Sequence, residues 1–150
     1  MSTSPTPAST VVHAQRVLPY APETVYAAFA DARRLARWWG PQGFTNTFQV
    51  FDFQPEGRWE FVMHGPDGGQ YPNTSVFRVL EAARTLVIDH VSPPVFTLTV
   101  TLTPQPTGTI LTWAQAFADP AVAARLRRIV EAANEQNIDR LAALLADGGT

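Results

Sequence analysis

The sequence predicts one α+β domain in which an antiparallel sheet packs against a single long helix. Between positions 45 and 117, apolar residues alternate with polar ones, as in strands with one buried and one solvated face. Between positions 121 and 146 they recur at helical spacing instead. The chain has 150 residues, 45% hydrophobic and 16% charged, which is enough for one core and too apolar for a disordered protein.

The composition excludes several classes of function. A formal net charge of -2 leaves no electrostatic footprint for nucleic acid. All 11 basic residues are arginine, so neither a Schiff-base lysine nor a P-loop lysine is present. Without cysteine there is no thiolate nucleophile, disulfide or cysteine-bound metal. No apolar run reaches the ~20 residues that a membrane span requires.

The first residues predict a flexible tail rather than a targeting signal. Residues 1–10 are mostly Ser, Thr, Pro and Ala, and they lack the basic start and apolar stretch of a secretory signal. We therefore expect a folded domain over residues 11–147, a short C-terminal tail over residues 148–150, and a cytoplasmic location.

The first elements are predicted to be a strand and two short helices. The strand covers Val11–Leu18, and Pro22 suits the first turn of a helix that continues over Glu23–Phe29. Asp31 is a suitable N-cap for the second helix, Ala32–Trp38. A Gly-Pro-Gln-Gly sequence ends that helix. One of the two adjacent tryptophans is expected to pack under the sheet and the other to border a pocket mouth or a subunit interface.

Six further strands are predicted, separated by Gly- and Pro-rich or charged turns. They cover Phe48–Phe53, Arg58–His64, Ser75–Leu80, Leu86–His90, Phe96–Thr103 and Leu111–Phe117. Their inward faces carry an unusual load of large side chains: Trp59, Phe61, Met63, Phe77, Phe96, Trp113 and Phe117. Ordinary core packing and the lining of a pocket are both open as explanations.

The last element is predicted to be a long helix over Ala121–Ala146, capped by Asp119 with Pro120 at its first position. Its apolar stripe consists of Val122, Leu126, Ile129, Ala133, Asn137, Leu141 and Leu144. The order is thus strand, two short helices, a six-stranded meander and one long helix. The sheet and the helix must cover each other's apolar faces.

Three segments resemble a known family. They are LARWWGPQGF at 35–44, GRWEFVMHGPDG at 57–68 followed by Tyr71-Pro72-Asn73, and DRLAALLA at 139–146. They are similar to bacterial proteins related to the C-terminal domain of the activator of Hsp90 ATPase, in the START-like or Bet v 1-like superfamily. The resemblance, over about Val11 to Ala146, implies a helix-grip fold: a curved antiparallel sheet of about seven strands wrapped around the C-terminal helix, with an apolar cavity between them. Superfamily relatives bind lipids, sterols, hormones or polyketides, and some are cyclases or hydrolases.

One position departs from the family pattern. Members often carry a Gly-Trp pair before the Asp-Arg-Leu motif of the last helix, where this chain has Ala133-Asn134. The loss of an indole there implies extra room or a more polar wall.

The main functional hypothesis is the binding of a small hydrophobic or amphipathic molecule, lipid-like or aromatic. A strongly curved sheet cannot touch one helix along its whole length, and such gaps are where apolar pockets form. The expected lining is Trp39, Phe53, Trp59, Phe61, Met63, Phe77, Phe96, Trp113 and Ile129, with His90, Gln115 and Asn137 as polar contacts. A buried amide or imidazole without a partner costs about 1–3 kcal/mol, so each must bond to another of these groups, to water or to a ligand.

No catalytic constellation is predicted. His90 is the one candidate acid–base residue, but its neighbour Asp89 faces the opposite side of the strand and cannot orient the ring. There is no GxSxG or HExxH motif, and the three histidines are scattered, so neither a metal nor a cofactor is expected.

Three alternatives stay open at this point. The family resemblance supports an interaction with an Hsp90-type chaperone. A polyketide-cyclase-like enzyme would use His90 as its acid–base group. A homodimer would account for the surplus of aromatic residues near the predicted mouth.

Overall fold

The computed structural model describes residues 10–148, so the predicted tails lie almost wholly outside the described residues. The elements are β1 (Val11–Leu18), α1 (Pro22–Ala30), α2 (Ala32–Trp38), β2 (Thr45–Phe51), β3 (Arg58–His64), β4 (Gln70–Glu81), β5 (Thr85–His90), β6 (Phe96–Gln105), β7 (Gly108–Phe117) and α3 (Pro120–Ala146). None of the helices within residues 10–148 combines the length and the apolar character needed to cross a bilayer.

The strands form one seven-stranded sheet in the order β1-β7-β6-β5-β4-β3-β2. Every neighbouring pair is antiparallel, and strands β2 to β7 form a continuous meander. The α+β class, the seven strands, the two short helices and the long C-terminal helix are confirmed. The largest difference is in β4, which starts at Gln70 rather than Ser75 because Tyr71 and Asn73 extend the pairing with β3.

The two short helices pack together and place a loop beside α3. The side chain of Asp31 accepts hydrogen bonds from the backbone N–H groups of Arg33 and Arg34 at 2.9 and 3.2 Å, as expected for an N-cap. The indole of Trp38 is buried and donates to the Ala28 carbonyl at 3.0 Å. Both tryptophans belong to the hydrophobic core, and Trp39 begins the loop that leads to β2.

The inner face of α3 shares Asn137, Leu141 and Leu144 with the predicted stripe, whereas Val122, Leu126 and Ala133 are half-buried. Its buried residues are Ala123, Asn134, Asn137, Ile138, Leu141, Leu144 and Leu145. The predicted inward position of Ile129 is wrong, since its side chain is 67% exposed. Val130 packs against the core cluster that contains Val12 and Phe117, and residue 129 is rotated from it by about 100° around the helix.

A dense aromatic cluster fills one end of the core. Trp59 is fully buried, with ring centroids 4.3 Å from Phe61 and 5.7 Å from Phe77. Phe53 lies beyond the end of β2 in the connection to β3, where it packs against Phe77 at 5.0 Å and Tyr26 at 5.9 Å. This cluster is solid core, and the site described next lies at its edge.

Candidate functional site

A pocket of about 220 Å³ lies between the inner face of strands β3 to β7, the middle of α3 and the loop after α2. Its walls are mainly apolar, with Trp39, Phe61, Met63, Phe96, Leu98 and Trp113 among the lining residues. Its polar lining residues are Asn73, Ser75, His90, Gln115, Asn134 and Asn137. The remaining lining residues are Gly40, Pro41, Ile88, Pro94 and Ala133.

The structure brings most of the predicted site residues together and leaves four out. Those that line the pocket are Trp39, Phe61, Met63, His90, Phe96, Trp113, Gln115 and Asn137. Those that do not are Phe53, Trp59, Phe77 and Ile129. The expected lining role is wrong for these four: Ile129 is on the surface, and the other three pack on one another in the aromatic cluster.

Trp39 separates the pocket from that cluster. Its ring lies 5.0 Å from Trp59 in an edge arrangement and 5.7 Å from Trp113, and 9% of the residue is exposed. Periodicity along β3 puts Trp59 and Phe61 on one face, but only the position of Trp39 decides which of them borders the pocket. That position depends on a loop and is not visible in the strand pattern.

Arg140 makes the largest number of the hydrogen bonds that hold the mouth loop, residues 39–43, to α3. The guanidinium of Arg140 donates to the carbonyls of Arg37, Trp39, Gly40 and Pro41 at 2.8, 3.1, 2.9 and 3.0 Å. Burial lowers the pKa of Arg140, because the charged group loses water. These carbonyls lie at the C-terminal end of α2, where a cation is also favoured by the helix dipole.

Gly40 is favoured at the mouth by its backbone conformation. Its φ of +97° lies in the left-handed region, which favours glycine. A Cβ there would lie 2.7 Å from the terminal methyl carbon of Met63, which lines the pocket. A side chain at this position would therefore strain the loop and push Met63 towards the pocket.

The amides of the pocket are partly paired. Asn137 Oδ1 accepts from the Gly40 backbone N–H at 3.1 Å, and Asn134 Nδ2 donates to Gln115 Oε1 at 3.1 Å. The three polar residues predicted for the site do not bond to one another. Each has its own partner, and the partners of Gln115 and Asn137 tie α3 to β7 and to the mouth loop.

Three polar lining residues were absent from the predicted site: Asn73, Ser75 and Asn134. The substitution of a family tryptophan at Asn134 pointed to a more polar wall, and Asn134 is one helical turn from Asn137. Asn73 and Ser75 alternate on β4, but the strand was expected to start at Ser75, so this periodicity was cut short. A longer β4 would have placed Asn73 and Ser75 on the inner surface.

His90 is held by two oxygen atoms and a stacked ring. Its Nδ1 lies 2.9 Å from the Pro94 carbonyl, its Nε2 lies 2.6 Å from Asn73 Oδ1, and its ring stacks on Phe96 at 4.5 Å. The amide of Asn73 is oriented by its own Nδ2, which donates to the Tyr71 carbonyl at 2.7 Å. Burial lowers the pKa of His90, while the carbonyls of Pro94 and Ser92 act in the opposite direction.

No carboxylate takes part in this arrangement. Asp89 faces the other side of β5, where it accepts from Thr97 at 2.6 Å and pairs with Arg78 at 2.7 Å. These contacts hold the pKa of Asp89 below its usual value against the opposing effect of burial, the largest single contribution. Within residues 10–148, no three His, Asp or Glu side chains lie close enough to share a metal ion.

The lowered pKa of His90 predicts a loss of stability on acidification. Below a pH of about 6.5 the unfolded chain protonates this histidine first, so it binds more protons than the folded chain and stability falls as pH falls. Each unit by which the folded pKa is lowered costs about 1.4 kcal/mol once the pH is below both values. Urea unfolding between pH 7.5 and 5 measures this slope.

The matched variants are His90→Gln, which should flatten the slope, and His13→Gln on the exposed side of β1, which should keep it. If the stability of the unsubstituted chain instead rises as the pH falls, the two oxygen contacts raise the pKa of His90 by more than burial lowers it. Asp89 does not interfere, because a carboxyl with a lowered pKa changes stability only at pH values below about 4.

The comparison with protein families decides the identity of this fold. The family described as Activator of Hsp90 ATPase homolog 1-like protein matches residues 19–146. The chain belongs to this family. In this member of the Activator of Hsp90 ATPase homolog 1-like family, all three segments meet in space. Arg140 of the last segment binds the carbonyls of Trp39, Gly40 and Pro41 in the first, and Trp39 packs against Trp59 of the second.

Solved structures show the same fold. A protein of Nitrosomonas europaea superposes with a TM-score of 0.85 at 21% identity, over 93% of this chain and 96% of that one. A protein of Arthrobacter aurescens gives a TM-score of 0.85 at 25% identity, over 93% and 87%. The AHSA1 protein of Silicibacter pomeroyi gives a TM-score of 0.73 at 21% identity, over 91% and 97%. Among proteins with curated descriptions, none matches the chain.

Proposed function

We propose that this member of the Activator of Hsp90 ATPase homolog 1-like family binds a small, mostly apolar molecule in the pocket between the sheet and α3. The observation that carries the proposal is the contrast between the walls of the pocket. Trp39, Phe61, Met63 and Trp113 supply apolar surface, and a separate group of amides faces the same space. Ligand sites combine apolar walls with a few polar groups in this way, whereas ordinary core excludes such groups.

The volume of the pocket favours a ligand with one ring. A dry cavity of about 150 Å³ in another protein accommodates benzene. A pocket of about 220 Å³ therefore fits one aromatic ring with a short substituent. Of the two ligand classes considered from the sequence, this size supports the aromatic one over a long-chain lipid.

The test is a binding experiment with a variant that fills the pocket. Ala133 lines the pocket on α3, and Ala132 is its exposed neighbour on the same helix. Titration calorimetry with toluene, phenol and acetophenone, with palmitate as a large comparison, is expected to show micromolar to millimolar binding of the one-ring compounds to the unsubstituted chain. Ala133→Phe should lower that affinity at least about tenfold because the added ring occupies the ligand's space.

Ala132→Phe is the matched control, since it adds the same ring outside the pocket and should leave binding unchanged. Equal loss in both variants, or no binding of any one-ring compound to the unsubstituted chain, would overturn the proposal. Binding of palmitate alone would show that the pocket opens well beyond its present volume and would contradict the size argument.

A second candidate is the stimulation of an Hsp90-type ATPase. The observation that supports it is the family match over residues 19–146. A coupled assay of a bacterial Hsp90 with excess of this chain tests it, and an unchanged ATPase rate removes it. If stimulation occurs, Ala133→Phe separates the two functions, since an interaction through the outer surface does not need the pocket.

A cyclase-like reaction has less support from the site. Both ring nitrogens of His90 already face oxygen atoms, those of Pro94 and Asn73. Asp89, the adjacent carboxylate, is turned towards Arg78. A general base needs a free nitrogen within hydrogen-bond reach of its substrate, and this arrangement does not supply one.

A further inference from the structure

The pocket has more unused hydrogen-bond donors than acceptors. The oxygen of Asn137 is occupied by the Gly40 N–H, so its remaining polar group is the NH2. The oxygen of Gln115 is occupied by Asn134 Nδ2, which likewise leaves the NH2 of Gln115. Among the residues that the structure describes, neither NH2 group has a hydrogen-bond partner.

These two amide groups face open space rather than sealed protein. Within residues 10–148, the completely enclosed side-chain polar atoms without a partner are Asn46 Oδ1, Trp59 Nε1 and Trp113 Nε1. Neither Gln115 Nε2 nor Asn137 Nδ2 belongs to that group, although both residues are buried, at 9% and 6% exposure. Since both residues line the pocket, the pocket is the space to which these nitrogens are open.

The two NH2 groups belong to residues that are linked through Asn134. Asn134 bonds to Gln115 across the pocket wall at 3.1 Å, and Asn137 follows Asn134 by one helical turn. Residues three apart on a helix have Cβ atoms about 5–6 Å apart. Ser75 adds a hydroxyl that can donate or accept. Among the described residues, Asn134 Oδ1 is the amide oxygen of the lining that has no hydrogen-bond partner, whereas those of Asn137 and Gln115 each already accept one hydrogen bond. The polar end of the pocket is therefore dominated by donors.

The charge of the lining restricts the head group further. None of the lining residues is Arg, Lys, Asp or Glu, and His90 is the only titratable one. An ion taken into such a pocket would lack a counter-charge, which is unfavourable. An uncharged oxygen that accepts hydrogen bonds needs no counter-charge.

We propose that the polar end of the ligand is an uncharged carbonyl oxygen that accepts hydrogen bonds from the NH2 groups of Asn137 and Gln115, as in a one-ring ketone, aldehyde, ester or amide. This inference rests on the proposed function, because it specifies the ligand of the same pocket. In this inference Asn137 and Gln115 determine specificity for the polar end of the ligand, and the aromatic walls of the pocket bind its ring.

Four probes of similar size separate this inference from the proposed function. They are acetophenone, isopropylbenzene, benzoate and benzylammonium, each titrated into the full chain at pH 8 and followed by calorimetry or ligand-observed NMR. Acetophenone is expected to bind about tenfold more tightly than isopropylbenzene, and the two ions more weakly than either. Equal binding of acetophenone and isopropylbenzene would overturn the inference and leave the proposed function standing. Absence of binding for all four would overturn both.

Two matched variants test the assigned amides. Asn137→Asp keeps the oxygen that accepts from Gly40 and replaces the donor with an anion. Gln136→Glu makes the same change outside the pocket, because Gln136 Oε1 accepts from the Gln42 N–H at 3.1 Å and the residue does not line the pocket. Asn137→Asp should reverse the order of the probes, with benzylammonium above acetophenone, whereas Gln136→Glu should keep the original order.

The reversal is a change of ranking, so it does not depend on how much the substitution weakens binding overall. Should Asn137→Asp fail to fold by circular dichroism, Gln115→Glu serves the same purpose, since it keeps the oxygen that accepts from Asn134. An unchanged probe order in the folded variant would overturn the assignment of the amide donors. A benzoate affinity above that of acetophenone in the unsubstituted chain would overturn the uncharged head group.

Discussion

Trp59→Ala is expected to lower the free energy of unfolding by about 3–5 kcal/mol, the range for removing a large aromatic side chain from a core. Trp59 is fully buried, and its ring contacts Trp39 at 5.0 Å, Phe61 at 4.3 Å and Phe77 at 5.7 Å. The aromatic cluster is built from these contacts. Urea or guanidinium unfolding, with ligand absent, gives the difference.

Trp59→Phe provides a sharper comparison. The indole N–H of Trp59 is enclosed and has no hydrogen-bond partner within residues 10–148, and such a group costs about 1–3 kcal/mol. The smaller ring loses buried area but removes that unpaired donor, so a net change of about 1 kcal/mol or less is expected. Tyr71→Ala, at a residue 46% exposed, is the surface control and should change stability by about 1 kcal/mol at most. A loss in Trp59→Phe as large as that in Trp59→Ala would contradict this account of the indole.

Arg140→Met is expected to cost about 3 kcal/mol of stability and to loosen the mouth loop. The substitution keeps an unbranched chain on α3 but removes the guanidinium that donates to the carbonyls of Arg37, Trp39, Gly40 and Pro41. The Trp39 carbonyl keeps a second donor, Asn46 Nδ2, at 2.9 Å. A hydrogen bond to a charged group contributes about 1.5–3 kcal/mol, and carbonyls that remain exposed to water recover part of this loss. Because Trp39 and Gly40 line the pocket, weaker binding of one-ring compounds should accompany the loss of stability.

Two variants control for this result. Arg128→Met changes an exposed arginine of the same helix and should alter stability by about 0.5 kcal/mol at most. Arg140→Lys keeps the charge but not the planar fork, so it should lie between the unsubstituted chain and Arg140→Met. Chemical denaturation of all three measures stability, and hydrogen exchange of the 39–43 amides reports on the loop. If Arg140→Lys and Arg140→Met were equally unstable, the geometry of the fork rather than the charge would account for the whole effect.

The fold could be predicted to a large extent because its signals are local. The alternation along β6 and the start of α3, with Asp119 as N-cap and Pro120 at the first position, are properties of short segments. The predicted bounds of both elements are close to the observed ones. The Asp31 cap of α2 is equally local, since donor and acceptor are two and three residues apart. Errors occurred where the local signal was weak, as at the start of β4, which contains a proline.

The site was predicted less completely, and Ile129 and Trp59 show why. Ile129 was assigned inward by extending one stripe along the whole of α3, but the first half of the helix presents Val130 to the core instead. Trp59 shares its strand face with Phe61, yet Trp39 stands between it and the pocket. In both cases periodicity predicts which face of the element a residue lies on. It does not predict which residue of another element packs against that face.

The amino-acid sequence by itself determined the class of the fold, the order of its elements and the presence of isolated polar residues in apolar faces. Hydrophobic periodicity, caps and turn residues act over a few positions and can be followed along the chain. Only the tertiary structure decided that Gln115 pairs with Asn134, that His90 is held by Asn73 and Pro94, and that Asn137 accepts a hydrogen bond from Gly40. These pairings join residues from different elements, so they depend on strand register and on the placement of α3 and the mouth loop, which no single segment encodes.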